Sequence, residues 1–201
     1  MQKYFDVRNK RIILYRETTS TNQMARELAM NGAPEGTVVM ATFQTSGKGR
    51  MDRVWHCPPA RGIMISMVLL PDLDIQRLQG LTLLCSTAVV DAVKDATNCT
   101  ADIKWPNDVL INGKKVCGVL AQSGLTSGSK RFVVMGVGLN VNQTVAELPD
   151  VCRETSTSLR IESGGRISRM GVLETFFCHW DRHYSAYAAK GYDYLRETVT
   201  L

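Results

Sequence analysis

The stretch DIKWPNDVLINGKKVCGVLAQ, residues 102–122, decides the fold. Aliphatic and β-branched residues flank Asn112-Gly113 on both sides, and Asn-Gly between two such runs marks a two-residue hairpin turn because both positions accept positive φ. Asp102 to Ile111 and Lys115 to Gln122 are therefore read as the two strands of a hairpin, with Lys104 and Lys115 on paired or adjacent segments. Pro106 brings no N–H to a ladder, which makes Lys104 to Asp108 costly as plain sheet. The ordinary alternative to a functional motif here is an edge strand in which Trp105 packs inward and Asn107 and Asp108 cap the local backbone.

Working outward from the hairpin, Gln76 to Asn98 carries Leu81, Leu84, Cys85, Ala88, Ala92 and Ala96 at helical spacing, which predicts a core helix. On the other side, Phe132 to Val141 reads as a strand, and Leu173, Phe176, Phe177, Trp180, Tyr184 and Tyr187 mark a closing amphipathic helix. Towards the amino terminus, Thr37 to Phe43 and Gly62 to Leu70 have strand length and composition, and so does Arg11 to Tyr15. Ser20 or Thr21 can cap a helix from there to about Met30, which Asn31-Gly32 ends. Strands joined mostly by hairpins and loops, with helices inserted at three points, predict an α+β fold: a mixed sheet flanked by helices in a single domain, residues 1–201.

Composition narrows the class. With 44% apolar and 21% charged residues in 201, the chain can bury a sizeable core. Its longest nearly apolar run, Leu81 to Val90, is far short of the ~20 residues that span a bilayer. The first ten residues mix Asp6 with Lys3, Arg8 and Lys10 and have no export pattern. The six cysteines are widely spaced and fit reduced thiols, so a cytoplasmic protein without a membrane partner is expected. A net charge of +5 does not choose a partner by itself.

Two clusters stand out chemically. Gln44 to Trp55 (QTSGKGRMDRVW) combines glycines, the cations Lys48, Arg50 and Arg53, and one indole. Glycines let backbone approach an anion, the cations neutralise it, and the indole offers a flat face to a ring. The second is Lys104-Trp105-Pro106-Asn107-Asp108. Other readings fail on spacing: Thr42 stands where a Walker loop needs its first glycine. Gly136-Val137-Gly138 lacks the third glycine of a dinucleotide fingerprint. No Gly-x-Ser-x-Gly elbow supports a hydrolase. His179 and His183 lie one helical turn apart, a spacing that can chelate zinc, but no third ligand is evident and no metal site is expected there.

The two clusters, in this order, resemble the signatures of biotin protein ligases, Gly-Arg-Gly-Arg-x-Gly-Arg-x-Trp and Lys-Trp-Pro-Asn-Asp. Thr18 to Asn22, Gly113 to Leu120 and Gly136 to Asn142 agree as well, so the resemblance spans nearly the whole chain. It implies the biotin and lipoate ligase catalytic fold, similar to class II aminoacyl-tRNA synthetases. It also implies an enzyme that makes biotinyl-5′-AMP from biotin and ATP with Mg2+. The biotin then passes to a lysine of the carrier domain of a biotin-dependent carboxylase or decarboxylase.

Carried over residue by residue, Ser20, Thr21, Asn22 and Gln44 line the biotin pocket, with Lys48, Gly49, Arg50, Lys115 and Gly118 completing it. Lys48, Arg50, Arg53, Trp55, Lys115 and Asn140 serve ATP. Arg50, Lys115 and Asp108 act in catalysis, and Asp108 stands near Mg2+.

The chain departs from the pattern at Lys48, where the family often has Arg, and at Asp52, which replaces the usual Gly. With only Met1 to Lys10 ahead of the first predicted strand, no amino-terminal DNA-binding domain and no DNA partner are expected. The usual carboxy-terminal β-barrel is expected to be absent too, and a homodimer stays open. The rival readings are a non-catalytic biotin-binding relative, a lipoate or octanoate transferase of the same fold, and a basic nucleic-acid-binding module.

Overall fold

The computed structural model describes residues 2–51 and 53–199, with Ile75 and Gln76 described by their backbone only. The departure noted at Asp52 lies outside the described residues.

The strands are β1 (Gln2–Val7), β2 (Lys10–Thr18), β3 (Val38–Gln44), β4 (Ile63–Leu69), β5 (Asp102–Lys104), β6 (Asp108–Ile111), β7 (Lys114–Leu125) and β8 (Arg131–Leu139). The helices are α1 (Thr21–Met30), α2 (Ile75–Thr97), α3 (Leu159–Ser163), α4 (Arg169–Lys190) and α5 (Tyr192–Thr198). The eight strands form one sheet in the order β1-β2-β3-β4-β8-β7-β6-β5. It is mixed, because β2 and β3 are parallel whereas β1–β2, β3–β4, β5–β6 and β6–β7 are antiparallel. The α+β expectation is met. Two compact units divide the chain: residues 1–72 with 120–138, and residues 73–119 with 139–201.

In the first unit, α1 is the crossover that a parallel β2–β3 pair requires. It lays Ala25 and Ala29 on Val39, Val68, Phe132 and Val134. Phe132 and Val134 alternate on one face of β8, and the same period of two continues through Gly136 and Gly138. β1 escaped the sequence reading because its side chains are mostly exposed and show no apolar face. Arg8 and Asn9, both at positive φ, turn it into β2.

In the second unit, Asp74 caps α2 by accepting the Arg77 N–H at 2.7 Å, and Asn98 ends the helix at φ 60°. The apolar stripe of α2 packs on α4, which buries Val172, Leu173, Phe176, Phe177, Trp180, His183 and Tyr187. His183 thus takes a core-facing position that the predicted stripe gave to Tyr184. Gly80 leaves room for the Tyr187 phenol, which donates to the Arg77 carbonyl at 2.7 Å. The short α3 and α5 lie outside the predicted helices.

The predicted hairpin is corrected in one respect. Its Asn112-Gly113 turn is present, with φ of 51° and 76°, but Asp102 to Ile111 is two strands joined by a turn at Trp105 to Asn107. Pro106 lies in that turn, between β5 at the edge of the sheet and β6. Trp105 is 72% exposed, so the inward packing of an ordinary edge strand does not occur. All six cysteines are free. No helix among the described residues is long and apolar enough to cross a membrane.

Candidate active site residues

In the first unit, parallel pairing of β2 and β3 sets Thr18 opposite Gln44, so the end of β3 arrives at the start of α1. Ser20 is the N-cap residue, but its side chain makes no cap hydrogen bond. The Gln44 carboxamide oxygen does that work, accepting the Thr21 N–H at 2.7 Å and the Thr21 hydroxyl at 3.1 Å. The Ser66 hydroxyl stands 2.8 Å from Thr21 Oγ1 and 2.6 Å from Asn22 Oδ1. The Asn22 amide in turn donates to Gln122 Oε1 at 3.1 Å and to the Leu120 carbonyl at 3.3 Å. Ser20, Thr21 and Asn22 are all buried. A connected polar network this deep specifies one arrangement of its members, because an unpaired group inside would be costly.

Replacing Gln44 by alanine removes the acceptor at the helix start and is expected to cost about 1 kcal/mol, the usual scale of a lost N-cap. Urea denaturation, read as a lower midpoint at constant slope, checks this.

Gly136 and Gly138 acquire a meaning here that their failure as a dinucleotide fingerprint left open. A Cβ on Gly136 would overlap Asn22 Oδ1, and a Cβ on Gly138 would stand 2.5 Å from Trp55 Cε2. The two glycines are clearances on one face of β8, one for the amide and one for the indole.

The cationic segment is a small hairpin. The Trp55 N–H donates to Gly47 O at 2.9 Å, Gly49 N–H donates to Arg53 O at 2.7 Å, and Lys48 pairs antiparallel with Val54. Gly47 is buried against the Trp55 carbonyl, where a Cβ would collide. Lys48, Arg50 and Arg53 are exposed on this hairpin. Trp55 is half-buried.

In the second unit, Asp108 and Lys115 come together: Lys115 Nζ lies 2.7 Å from Asp108 Oδ1, with side chains 32% and 24% exposed. The backbone fixes this pair from two sides. β6 and β7 shift register between Val109 and Leu110, which sets Asp108 opposite Gly118 and Leu110 opposite Lys115. Lys115 also donates its N–H to Thr155 O at 2.8 Å and accepts from Thr157 N–H at 2.9 Å. Asn107 closes the preceding turn through its amide to Val119 O at 2.9 Å.

Asn140 is buried, donating to Thr157 O at 3.0 Å and accepting from Gln143 Nε2 at 2.7 Å. It therefore braces the segment that pairs with Lys115. Cys117, two residues on, is fully buried, and burial pushes its thiol well above the usual range. It stays a neutral thiol beside the pair.

Sequence reasoning missed Ser66, Gln122, Gln143 and the Thr155 to Ser158 segment. Ser66 had a signal, being the one polar residue of the otherwise apolar Ile63–Leu69. Gln122 was read only as the end of a strand, and Gln143 and Thr155 to Ser158 lay in a polar loop without periodicity.

The model of the biotin/lipoate A/B protein ligase family matches residues 14–140, a span that holds both clusters and the polar network. The chain belongs to this family. Its similarity to the bifunctional ligase/repressor BirA of Bacillus subtilis is 41% identity over 187 residues, covering 93% of this chain and 58% of the relative. The biotin–[acetyl-CoA-carboxylase] ligase of Mycobacterium tuberculosis is 33% identical over 193 residues, covering 92% of this chain and 70% of the relative. A solved biotin protein ligase from Aquifex aeolicus, in complex with biotin and ATP, matches with a TM-score of 0.77 and 30% identity over 89% of this chain and 72% of that one. The chain thus spans less than two thirds of the Bacillus relative's length, and the family assignment concerns the part it shares.

Proposed function

We propose that the chain binds biotin and ATP, forms biotinyl-5′-AMP with release of pyrophosphate, and passes biotin to a lysine of a biotin carboxyl carrier domain. The observation that carries this reading is the Lys115–Asp108 pair, an ammonium held 2.7 Å from a carboxylate on a backbone fixed by two neighbouring segments.

In the first step a biotin carboxylate oxygen attacks the α-phosphorus of ATP, and the bond to the β-phosphate breaks. Two anions have to meet, so cations already in place lower the barrier more than cations recruited from solvent. Lys115 and Arg50 take that role, with Lys48 and Arg53 on the triphosphate, and Trp55 and Asn140 assigned to the nucleotide. Ser20, Thr21, Asn22 and Gln44 serve the ureido ring, with Gly49 and Gly118 giving backbone clearance. A site that satisfies every polar group of that ring rejects acids lacking it.

Asp108 Oδ1 faces the Lys115 ammonium at 2.7 Å, which satisfies its charge without a resident ion. Mg2+ is read instead as the counter-ion that ATP brings with it.

In the second step the carrier amine attacks the acyl carbon, AMP leaves, and the amine gives up a proton. Asp108 is assigned to orient that amine or accept its proton. Asp108→Asn is then expected to slow transfer from preformed biotinyl-AMP, and unchanged transfer would reject the role.

Labelled biotin, ATP and an isolated carrier domain test the whole reading: ATP-dependent label on the carrier, undiminished by excess lipoate or octanoate, is the expected result. Tight biotin binding without pyrophosphate release would assign the chain to non-catalytic relatives instead. We further assign the hairpin around Lys48 to Trp55 to close over the mixed anhydride and keep water out, so Arg50→Ala should release biotinyl-AMP into solution faster than the parent. Chromatography of the free adenylate measures it.

A further inference from the structure

Within the second unit, α2 and α4 bring together three side chains that no step of the proposed reaction uses. Among the described residues, Asp91, His179 and His183 form a group whose ligand atoms all lie within 4.8 Å of one another. The third ligand that the sequence left unseen is Asp91, supplied by α2 far away along the chain. His183 Nε2 is 2.8 Å from Asp91 Oδ2, and His179 Nδ1 is 3.6 Å from the same oxygen. A tetrahedral zinc site places its ligand atoms about 3.3 Å apart, as metal–ligand bonds of ~2.0–2.1 Å require. Small side-chain adjustments therefore suffice.

The outer ring of contacts matches what a metal-bound imidazole needs. His179 Nε2 lies 2.7 Å from Asp95 Oδ2, and His183 Nδ1 lies 2.8 Å from the Tyr194 phenol oxygen. Each imidazole thus has an oxygen against the nitrogen that faces away from the cluster. Such partners fix the tautomer that turns a lone pair to the centre and raise the basicity of the ligand.

A cation already stands at the centre: Arg182 Nη2 is 2.8 Å from Asp91 Oδ2 and 3.3 Å from His183 Nε2. The Arg182 side chain is 60% exposed and can swing into solvent.

We propose that His179, His183 and Asp91 form a binding site for a zinc-class divalent ion that cross-links α2 to α4, with Asp95 and Tyr194 orienting the imidazoles and Arg182 holding the place until the ion arrives. Two nitrogens and one carboxylate suit a borderline ion such as Zn2+ or Co2+ better than Mg2+ or Ca2+. Water fills the fourth position.

The test is calorimetric titration of chelator-treated protein with Zn2+, paired with Co2+ absorption, which distinguishes nitrogen and oxygen ligands from thiolates. Cys178, exposed on the same helix, is changed to serine in all samples so that its thiol takes no part. One ion per chain is expected, with a rise in thermal midpoint and a Co2+ spectrum free of thiolate charge transfer. His179→Ala should abolish binding, and Asp95→Asn should weaken it about 10- to 100-fold, the scale of a lost outer partner. Arg182→Gln should tighten it, which a purely structural hydrogen-bond network would not do. Absence of one-to-one binding, binding that survives His179→Ala, or a thiolate signature overturns the proposal. His183 is left unchanged in every variant because its burial makes it a folding residue as well.

Discussion

Replacing Lys115 by alanine is expected to lower the rate of biotinyl-AMP formation by about a hundredfold to a thousandfold, the range seen when one preorganised electrostatic donor is removed from a reacting centre. The backbone at Lys115 is held by its neighbours: β6 on one side, and Thr155 and Thr157 on the other. Truncating the side chain leaves those bonds in place, so the fold should persist and the loss should be chemical. Asp108 would lose its ammonium partner, and at 24% exposure water can still reach the carboxylate, which limits the effect on stability. Biotin-dependent exchange of pyrophosphate into ATP measures the first step, and transfer from preformed biotinyl-AMP measures the second. A Lys115→Ala chain that exchanges pyrophosphate at the parent rate would remove Lys115 from the reaction.

The second large effect is expected at a residue with no side chain. Gly136→Ala places a methyl group where Asn22 Oδ1 now stands. Asn22 has nowhere to go, because Ser66, Leu120 and Gln122 hold its amide from the other directions. Overpacking in a close-packed interior costs typically about 1–3 kcal/mol. Here the displaced amide also gives up hydrogen bonds, each of which costs about a further 1–3 kcal/mol when a buried partner is left unsatisfied. The variant should have a lower urea midpoint and much weaker binding of biotin. Gly165→Ala, at an open position with no neighbour within 4 Å, is the control and should change neither.

How much of this was legible beforehand depended on the kind of signal. Long apolar signals were clear: α2 and α4 lie where the helical spacing of Leu81 and Phe176 with their neighbours predicted them, and β3, β4 and β8 where the apolar runs around Val39, Ile65 and Val134 did. β1 was invisible because a strand exposed along most of its length has no apolar face to betray it. The turn at Trp105 to Asn107 was misread because a proline at a sheet edge and a proline between two strands look alike in one dimension. At the candidate site, the sequence could not show how the residues named from motifs connect. Gln44 and Thr21 are apart in sequence, and only parallel pairing of β2 with β3 makes one cap the other. Likewise Asp91 belonged to the core helix in the sequence and could not be seen beside His179 until α2 and α4 were packed.

The two hollows on β8 have an evolutionary corollary. A residue that grows at 136 has to be matched by one that shrinks at 22, and position 138 is tied to position 55 in the same way. Across homologues these positions should covary as two volume-conserving couples. Asn22→Ser introduced together with Gly136→Ala should then recover stability that neither exchange retains alone.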